Sequence, residues 1–383
     1  MRNSRRGAVD PFIVMDVMEA ARREEEAGAQ VIHMEVGQPG TGAPAAALAS
    51  LAEALSGDPM GYTVGLGLPK LRARIARHIG EWYGVDVSPS RVVVTAGASG
   101  AFILAFTALF DARARVGLGL PCYPSYRQIL RALDLDPVGI RTDIADGFQP
   151  RPADIAAHAL DGLIVASPAN PTGSMLTKPA LAMLAEACEA ADIPLISDEI
   201  YHGLSYGARA HSALEVTDEV YVVNSFSKYF SMTGWRVGWM VVPEDHVRIV
   251  ERLAQNLFIC PPHASQRVAL AAMDCADELE ANVAVYAANR ERMLTGLAEA
   301  GFRTIAPPDG AFYIYADVSD HTEDSLAFAG EILAKAKVAV TPGLDFDPEE
   351  GHRWLRFSYA RSTADIEEGI ARLIGFMARG RAA

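Results

Sequence analysis

Short apolar runs alternate with helical patterns through the middle of the chain, and the character changes after about residue 285. Together these predict an α/β fold: a large domain with a mostly parallel sheet covered by helices, plus a smaller α+β domain. A chain of 383 residues, half of them apolar, can bury a core large enough for both. The large domain is expected over residues 42–285. The small one is expected to join residues 1–41 to residues 286–383.

The strands come first. "VVVT" at 92–95, "LIVAS" at 163–167, "PLISDE" at 194–199, "VYVVN" at 220–224 and "VGWMVV" at 237–242 are β-rich and apolar on successive residues, the pattern of strands buried on both faces. Ala- and Leu-rich stretches at 100–110 and 178–191 supply covering helices. Beyond them, a helical run at 277–300 leads into "GFRTIAPPDGAFYIYADV", read as two short strands. A helix near 325–337, a strand at 353–358 and a last helix from 364 complete the second unit. The opening forty residues carry one clear helix, at 10–27, and are expected to pack on that unit. The two "GLGLP" copies, at 65 and 117, are too short to be a repeat.

Several functions are excluded early. The net charge of −14, with basic residues scattered among acidic ones, offers no patch for a nucleic-acid backbone. Cys122, Cys188, Cys260 and Cys275 lie far apart and lack zinc-ligand spacing, so they are expected to be reduced thiols of a cytoplasmic protein, with no metal site. "MRNSRRGAVDPF" has no apolar core of a secretory signal, and the longest apolar run, "AFILAFTALF", is too short to span a bilayer.

The informative segment is "SFSKYFSMTGWRVGW", residues 225–239. Lys228 sits among Phe226, Tyr229 and Phe230, and "TGWRVGW" is read as a buried strand. A lysine shielded in this way has a lowered pKa and a nucleophilic amine, suited to an aldehyde. Ser225, Ser227 and Arg236 around it would suit a phosphate dianion. An aldehyde that carries a phosphate is pyridoxal phosphate.

That cofactor needs a carboxylate to keep its ring nitrogen protonated, and Asp198 ends a buried strand. Tyr201 in "DEIYHGL" and Asn170 in "SPANPTG" are donors for its phenolate oxygen. "TAGASGAF" provides a helix N-terminus, with the amides of Ala98, Ser99 and Gly100 for the phosphate. Each element alone is more often an ordinary turn, a helix cap or a core residue. Their joint occurrence is what carries weight.

With these motifs the chain resembles fold-type I pyridoxal-phosphate enzymes of the class I/II aminotransferase family, from "VGQP" at 36 to the last helix. The resemblance implies that Lys228 holds the cofactor as an internal aldimine, that Asp198 pairs with the pyridinium and that Asn170 and Tyr201 bind the phenolate. Ser99, Ser225, Ser227 and Arg236 would hold the phosphate. It further implies that Tyr123 stacks on the ring and that Tyr62 reaches the partner subunit's phosphate in a homodimer. Arg356 in "WLRFSYA" would clamp the substrate carboxylate beside the backbone of Gly37.

The substrates implied are an amino acid and a 2-oxo acid, converted by a ping-pong mechanism with Lys228, Asp198 and Tyr201 as the catalytic residues. The segment "RLAQNLFICPPHASQ" has Gln255 and Asn256 about where aspartate-specific members place a second arginine. It is more similar to a broad prokaryotic branch. Three other readings stand beside this one. A carbon–sulfur β-lyase would use the same apparatus. A transcription regulator would need a further N-terminal domain, where only about forty residues precede the motif region. A nicotinamide dehydrogenase would need a G-x-G-x-x-G opening that is not present.

Overall fold

The structure, a computed structural model, describes residues 1–381. In chain order its elements begin with α1 (Ile13–Glu26), β1 (Ile32–His33), α2 (Ala45–Leu55) and α3 (Pro69–Tyr83). An alternating stretch follows: β2 (Val92–Thr95), α4 (Gly97–Leu109), β3 (Arg115–Leu120), α5 (Pro124–Ala132), β4 (Asp136–Arg141), α6 (Pro152–His158), β5 (Gly162–Ala166), α7 (Lys178–Ala190) and β6 (Leu195–Asp198). Next are β7 (Val220–Ser225), β8 (Gly238–Val241), α8 (Val247–Leu257), α9 (His263–Ala272) and the long α10 (Ala276–Ala300). The chain closes with β9 (Tyr313–Asp317), α11 (Ser325–Ala336), β10 (Val338–Ala339), β11 (Thr341–Pro342), β12 (Trp354–Ser358) and α12 (Thr363–Arg381).

Seven strands form one sheet in the order β2-β8-β7-β6-β5-β3-β4. Only β8 runs against its neighbours. Alternate residues of each strand enter different cores: Leu163 and Val165 of β5 belong to one apolar cluster and Ile164 to the other. A sheet covered on both faces needs apolar side chains at every position, which is why these strands read as continuous apolar runs. Helix α4 is apolar nearly all round because it lies against β7 and β8, with Phe102, Leu104 and Phe106 buried.

Strands β3 and β4 were not among those expected from the sequence. Their glycines hide them, since glycine weakens strand propensity. Packing explains the choice: a Cβ on Gly117 would stand 2.5 Å from Leu160 Cδ1, and one on Gly139 would stand 2.6 Å from Leu120 Cδ1. Large neighbours occupy the space a side chain would take.

Two further expectations need correction. Of the two strands read in residues 301–318, only β9 forms; Ile305 makes an isolated bridge to Ala316. The segment "TGWRVGW" is not a strand throughout. Thr233–Trp235 make a turn of 3-10 helix and Arg236 has φ of 50°, so the strand starts only at Gly238.

Strands β11, β12 and β9 form a small antiparallel sheet, and β1 pairs in parallel with β10, Ile32 opposite Val338. The N-terminal segment thus packs on the C-terminal elements, with α1 touching β10, β11 and α11. This matters for function because it sets the start of α1 and the Arg356 strand β12 over the carboxyl ends of β5, β6 and β7, the edge at which ligands bind in sheets of this kind.

Candidate active site

One cavity, with about 980 Å³ of space including its open mouth, lies at that edge. Ala166, Asp198 and Ser225, from the ends of the adjacent strands β5, β6 and β7, line its floor, and the turns that follow supply Asn170, Tyr201, Ser227 and Lys228. Gly37, Ala98, Ser99, Tyr123, Arg236 and Arg356 line it too. Of the residues singled out in the sequence, Gly100 and Tyr62 are outside. Gly100 is one step too deep into α4, where a side chain would meet Ala96 and Phe258. Tyr62 is 83% exposed on the surface of its own chain.

At one end of the cavity the groups suit an anion. The Ser225 and Ser227 hydroxyls are 2.9 Å apart, and Ser225 Oγ accepts the Ser227 amide at 3.0 Å. The start of α4 lies beside them. Two glycines make this approach possible: a Cβ on Gly97 would be 2.4 Å from Arg236 Nη2, and one on Gly238 would be 3.1 Å from the Ala98 nitrogen. Gly97 also has φ of 71°. The Arg236 guanidinium donates to the Thr233 carbonyl at 2.9 Å and has no carboxylate partner among the described residues. A guanidinium, two hydroxyls and free helix amides converge here, the donor set of a phosphate site.

Asp198 is almost fully buried. Its carboxylate accepts the Tyr126 hydroxyl and, at 3.1 Å, the Ile200 amide. Burial pushes its pKa up to about 6, against the lowering effect of these donors. At neutral pH it is an anion in an apolar setting, a natural partner for a cationic ring nitrogen.

Lys228 Nζ donates to the Gly37 carbonyl at 2.6 Å. The residue keeps some accessible surface, and it faces the cavity. Burial, and secondly the charge of Arg356, bring its pKa down to about 7. Much of the amine is therefore neutral near pH 7, as a nucleophile or base requires.

Arg356 is 3% exposed. It reaches only neutral oxygens: Asn170 Oδ1 at 2.9 Å, Thr341 Oγ1 at 3.2 Å and the Glu35 carbonyl. Its Nε is buried without a partner. The guanidinium is sandwiched between Tyr313 and Phe346, with ring centroids 4.3 and 4.7 Å from Cζ. A buried cation held this way can accept a carboxylate.

Sequence reasoning missed several lining residues. Tyr126 carries no motif signal, yet it holds Asp198. Tyr313 hydrogen-bonds the Tyr201 hydroxyl at 2.7 Å. Phe12, Val14, Met15 and Met18 bring the first turns of α1 to the cavity. That helix end is anchored by the buried Asp345, which accepts the Ile13 amide at 2.9 Å and the Val14 amide at 3.3 Å. Arg127 holds the anchor in turn, donating to the Asp345 and Phe346 carbonyls at 2.9 and 2.8 Å. The contacts of Asp345 and Arg127 join residues more than two hundred positions apart, where local pattern carries no signal.

A lysine of lowered pKa, a buried carboxylate and an anion cradle on one edge of a parallel sheet define a pyridoxal-phosphate enzyme. Comparison with known proteins narrows this. The pattern of the family described as aminotransferase class I and II matches residues 29–373. The chain is 46% identical over 374 residues, 96% of each chain, to a protein of Mycobacterium tuberculosis named valine–pyruvate aminotransferase. A solved structure from Silicibacter pomeroyi is 67% identical, with TM-score 0.95 over 99% of this chain and 100% of that one. The crystal structure of an aminotransferase from Mycobacterium tuberculosis is 44% identical, with TM-score 0.97 over 99% and 100%. The chain belongs to the aminotransferase class I and II family and is a pyridoxal-phosphate-dependent aminotransferase. The lyase reading is not favoured.

In protein freed of cofactor, acylation of Lys228 by acetic anhydride, followed by peptide mass spectrometry, is expected to rise with a midpoint near pH 7. The sign follows from the lowered pKa, because the reactive neutral amine appears at lower pH than in an ordinary lysine. A midpoint near the ordinary value of about 10.4 would contradict the lowering.

Proposed function

We propose that this aminotransferase takes neutral amino acids with apolar side chains as donors and a small 2-oxo acid as acceptor. The observation that carries the proposal is the cavity wall. Beyond the charged groups already described it is built of Phe12, Val14, Met15, Met18 and Ile200, and its cations other than Lys228 are Arg236 and Arg356. Arg236 belongs to the phosphate cradle and Arg356 to the carboxylate that every amino acid carries. Among the described residues no third arginine lines the cavity to hold a second carboxylate, and Gln255 and Asn256 are not among its lining residues. The similarity to a protein named for valine and pyruvate supports the same choice.

When bound, pyridoxal phosphate supplies an electron-accepting ring that stabilises negative charge developing at the substrate's α-carbon. The chain's own groups do the rest. Ser99, Ser225, Ser227, Arg236 and the amide of Ala98 would hold the phosphate. Asp198 would keep the ring nitrogen protonated, Tyr123 would cover the ring, and Asn170 and Tyr201 would donate to its phenolate oxygen. Lys228 would supply the amine for the aldehyde carbon, the aldehyde oxygen leaving as water. Its Nζ, which faces the cavity, would take the substrate's α-proton and return it. Arg356, with Asn170 and the Gly37 backbone beside it, fixes the substrate carboxylate and so aims the α-hydrogen at Lys228.

We also propose a division into a large domain over residues 42–285 and a small one from residues 1–41 and 286–383, and a homodimer in the cytoplasm. Support for the dimer is an apolar surface patch. Tyr62, Val64, Leu257 and Ile259 are all more than half exposed, on segments joined by the hydrogen bond from His263 Nδ1 to the Gly61 carbonyl. Free thiols at all four cysteines support a reducing compartment. If Tyr62 completes the partner's phosphate site, mixing inactive Lys228→Ala with Tyr62→Phe subunits yields heterodimers with one intact site and activity above that of either parent. Sedimentation of the active enzyme as a monomer would contradict this.

The substrate proposal is tested by single half-reactions. Valine, alanine and leucine should convert the bound cofactor stoichiometrically to pyridoxamine phosphate with release of the matching oxo acid, and aspartate and glutamate should do so poorly. Arg356→Lys should lower kcat/KM for every donor by about tenfold or more, since one bidentate charge-assisted contact is lost while the charge remains. Preference for aspartate would overturn the substrate class.

A further inference from the structure

Tyr313, at the start of β9, belongs to no motif, yet its side chain touches both halves of the site. Its hydroxyl is 2.7 Å from the hydroxyl of Tyr201. Its ring lies against the guanidinium of Arg356, Cζ 4.3 Å from the centroid. A Cβ on Gly37 would fall 2.0 Å from its hydroxyl oxygen, so the backbone segment that accepts the Lys228 amine is pressed against the same atom. The residue is 1% exposed, and pairing of Ser358 with Tyr313 fixes it beside the strand that carries Arg356. Removing so much phenol surface from water, with its hydroxyl aimed at another hydroxyl in the cavity, leaves one geometry for the pair.

Each phenol has one proton to donate. Burial raises the pKa of both, so both are neutral. If Tyr201 gives its proton to the cofactor's phenolate oxygen, as proposed above, the bond between the two tyrosines must run from Tyr313 to Tyr201. A hydroxyl that accepts a hydrogen bond becomes a stronger donor, by roughly 10–30% per bond in such a chain. We infer that Tyr313 is a positioning residue with two separable parts: its hydroxyl sets the direction and strength of donation by Tyr201, and its ring holds Arg356 in line for the substrate carboxylate. This rests on the assignment of Tyr201 to the phenolate.

The hydroxyl is tested by the pH titration of the visible chromophore that holoenzyme forms through Lys228. A donor on the phenolate favours its deprotonated form and so lowers the midpoint; removing the donor raises it. Tyr313→Phe is expected to raise the midpoint by a few tenths of a pH unit, Tyr201→Phe to raise it further, and the double variant to match Tyr201→Phe alone. An unmoved midpoint in Tyr201→Phe would overturn the Tyr201 assignment and this inference with it. A shift in Tyr201→Phe with none in Tyr313→Phe, or the same Tyr313→Phe shift with and without Tyr201, would overturn the Tyr313 role alone. The ring is tested by KM. Tyr313→Leu, which retains neither hydroxyl nor ring, should raise KM for donor and oxo acid together, roughly threefold or more, while Tyr313→Phe, with the ring intact, should not. Equal KM changes in both variants would overturn the part assigned to the ring.

Discussion

Asp198 is the constraint on which the rest of the site depends. A carboxylate at the inner end of the central strand β6, almost without exposed surface, is costly unless it meets a cation. The protein offers it a phenol and an amide. These lower its pKa, but burial outweighs them and holds it near 6. The charge of Lys228 lowers it as well, and a positive charge in direct contact, which a protonated pyridine ring would provide, would lower it further. In the proposed reading such a ring would lie against Asp198 with its phosphate in the cradle of Ser225, Ser227 and Arg236, in the same cavity as Lys228.

A second unpaired charge works in the same way. Arg356 is buried among neutral oxygens and aromatic faces, and its field lowers the pKa of Lys228. A substrate carboxylate would neutralise Arg356 and thereby raise the basicity of Lys228 just when a base is needed. Carboxylate binding and proton transfer would then be coupled through electrostatics. The apolar first turns of α1 line this side of the cavity, and the chain Arg127, Asp345 and Ile13 fixes where that helix begins.

How far the sequence could be read followed the range of the interactions. The convergence of Lys228, Asp198, Asn170 and Tyr201 on one cavity was legible because each sits in a short motif at or just after the end of a strand whose apolar run was unmistakable. Strands β5 to β8 were placed within about a residue of their ends for the same reason. Strands β3 and β4 were not legible, because Gly117 and Gly139 are dictated by Leu160 and Leu120, side chains remote in sequence or across the sheet. The turn at Arg236 was hidden because a left-handed arginine is set by what it faces, the N-terminus of α4, and not by its neighbours in the chain. Tyr126, Tyr313 and Asp345 act only through tertiary contacts, so nothing local announces them.

The central claim, that Asp198 is held buried in order to keep a ring nitrogen protonated, is most directly tested by nitrogen-15 magnetic resonance of holoenzyme reconstituted with cofactor labelled at that nitrogen. Asp198 paired with a cation should ionise well below its present value near 6. The ring nitrogen should therefore show the shift of a protonated pyridine from about pH 6 to pH 9, and that signal should be lost in Asp198→Asn. A ring nitrogen that is unprotonated at pH 7 in the unaltered enzyme would contradict the account.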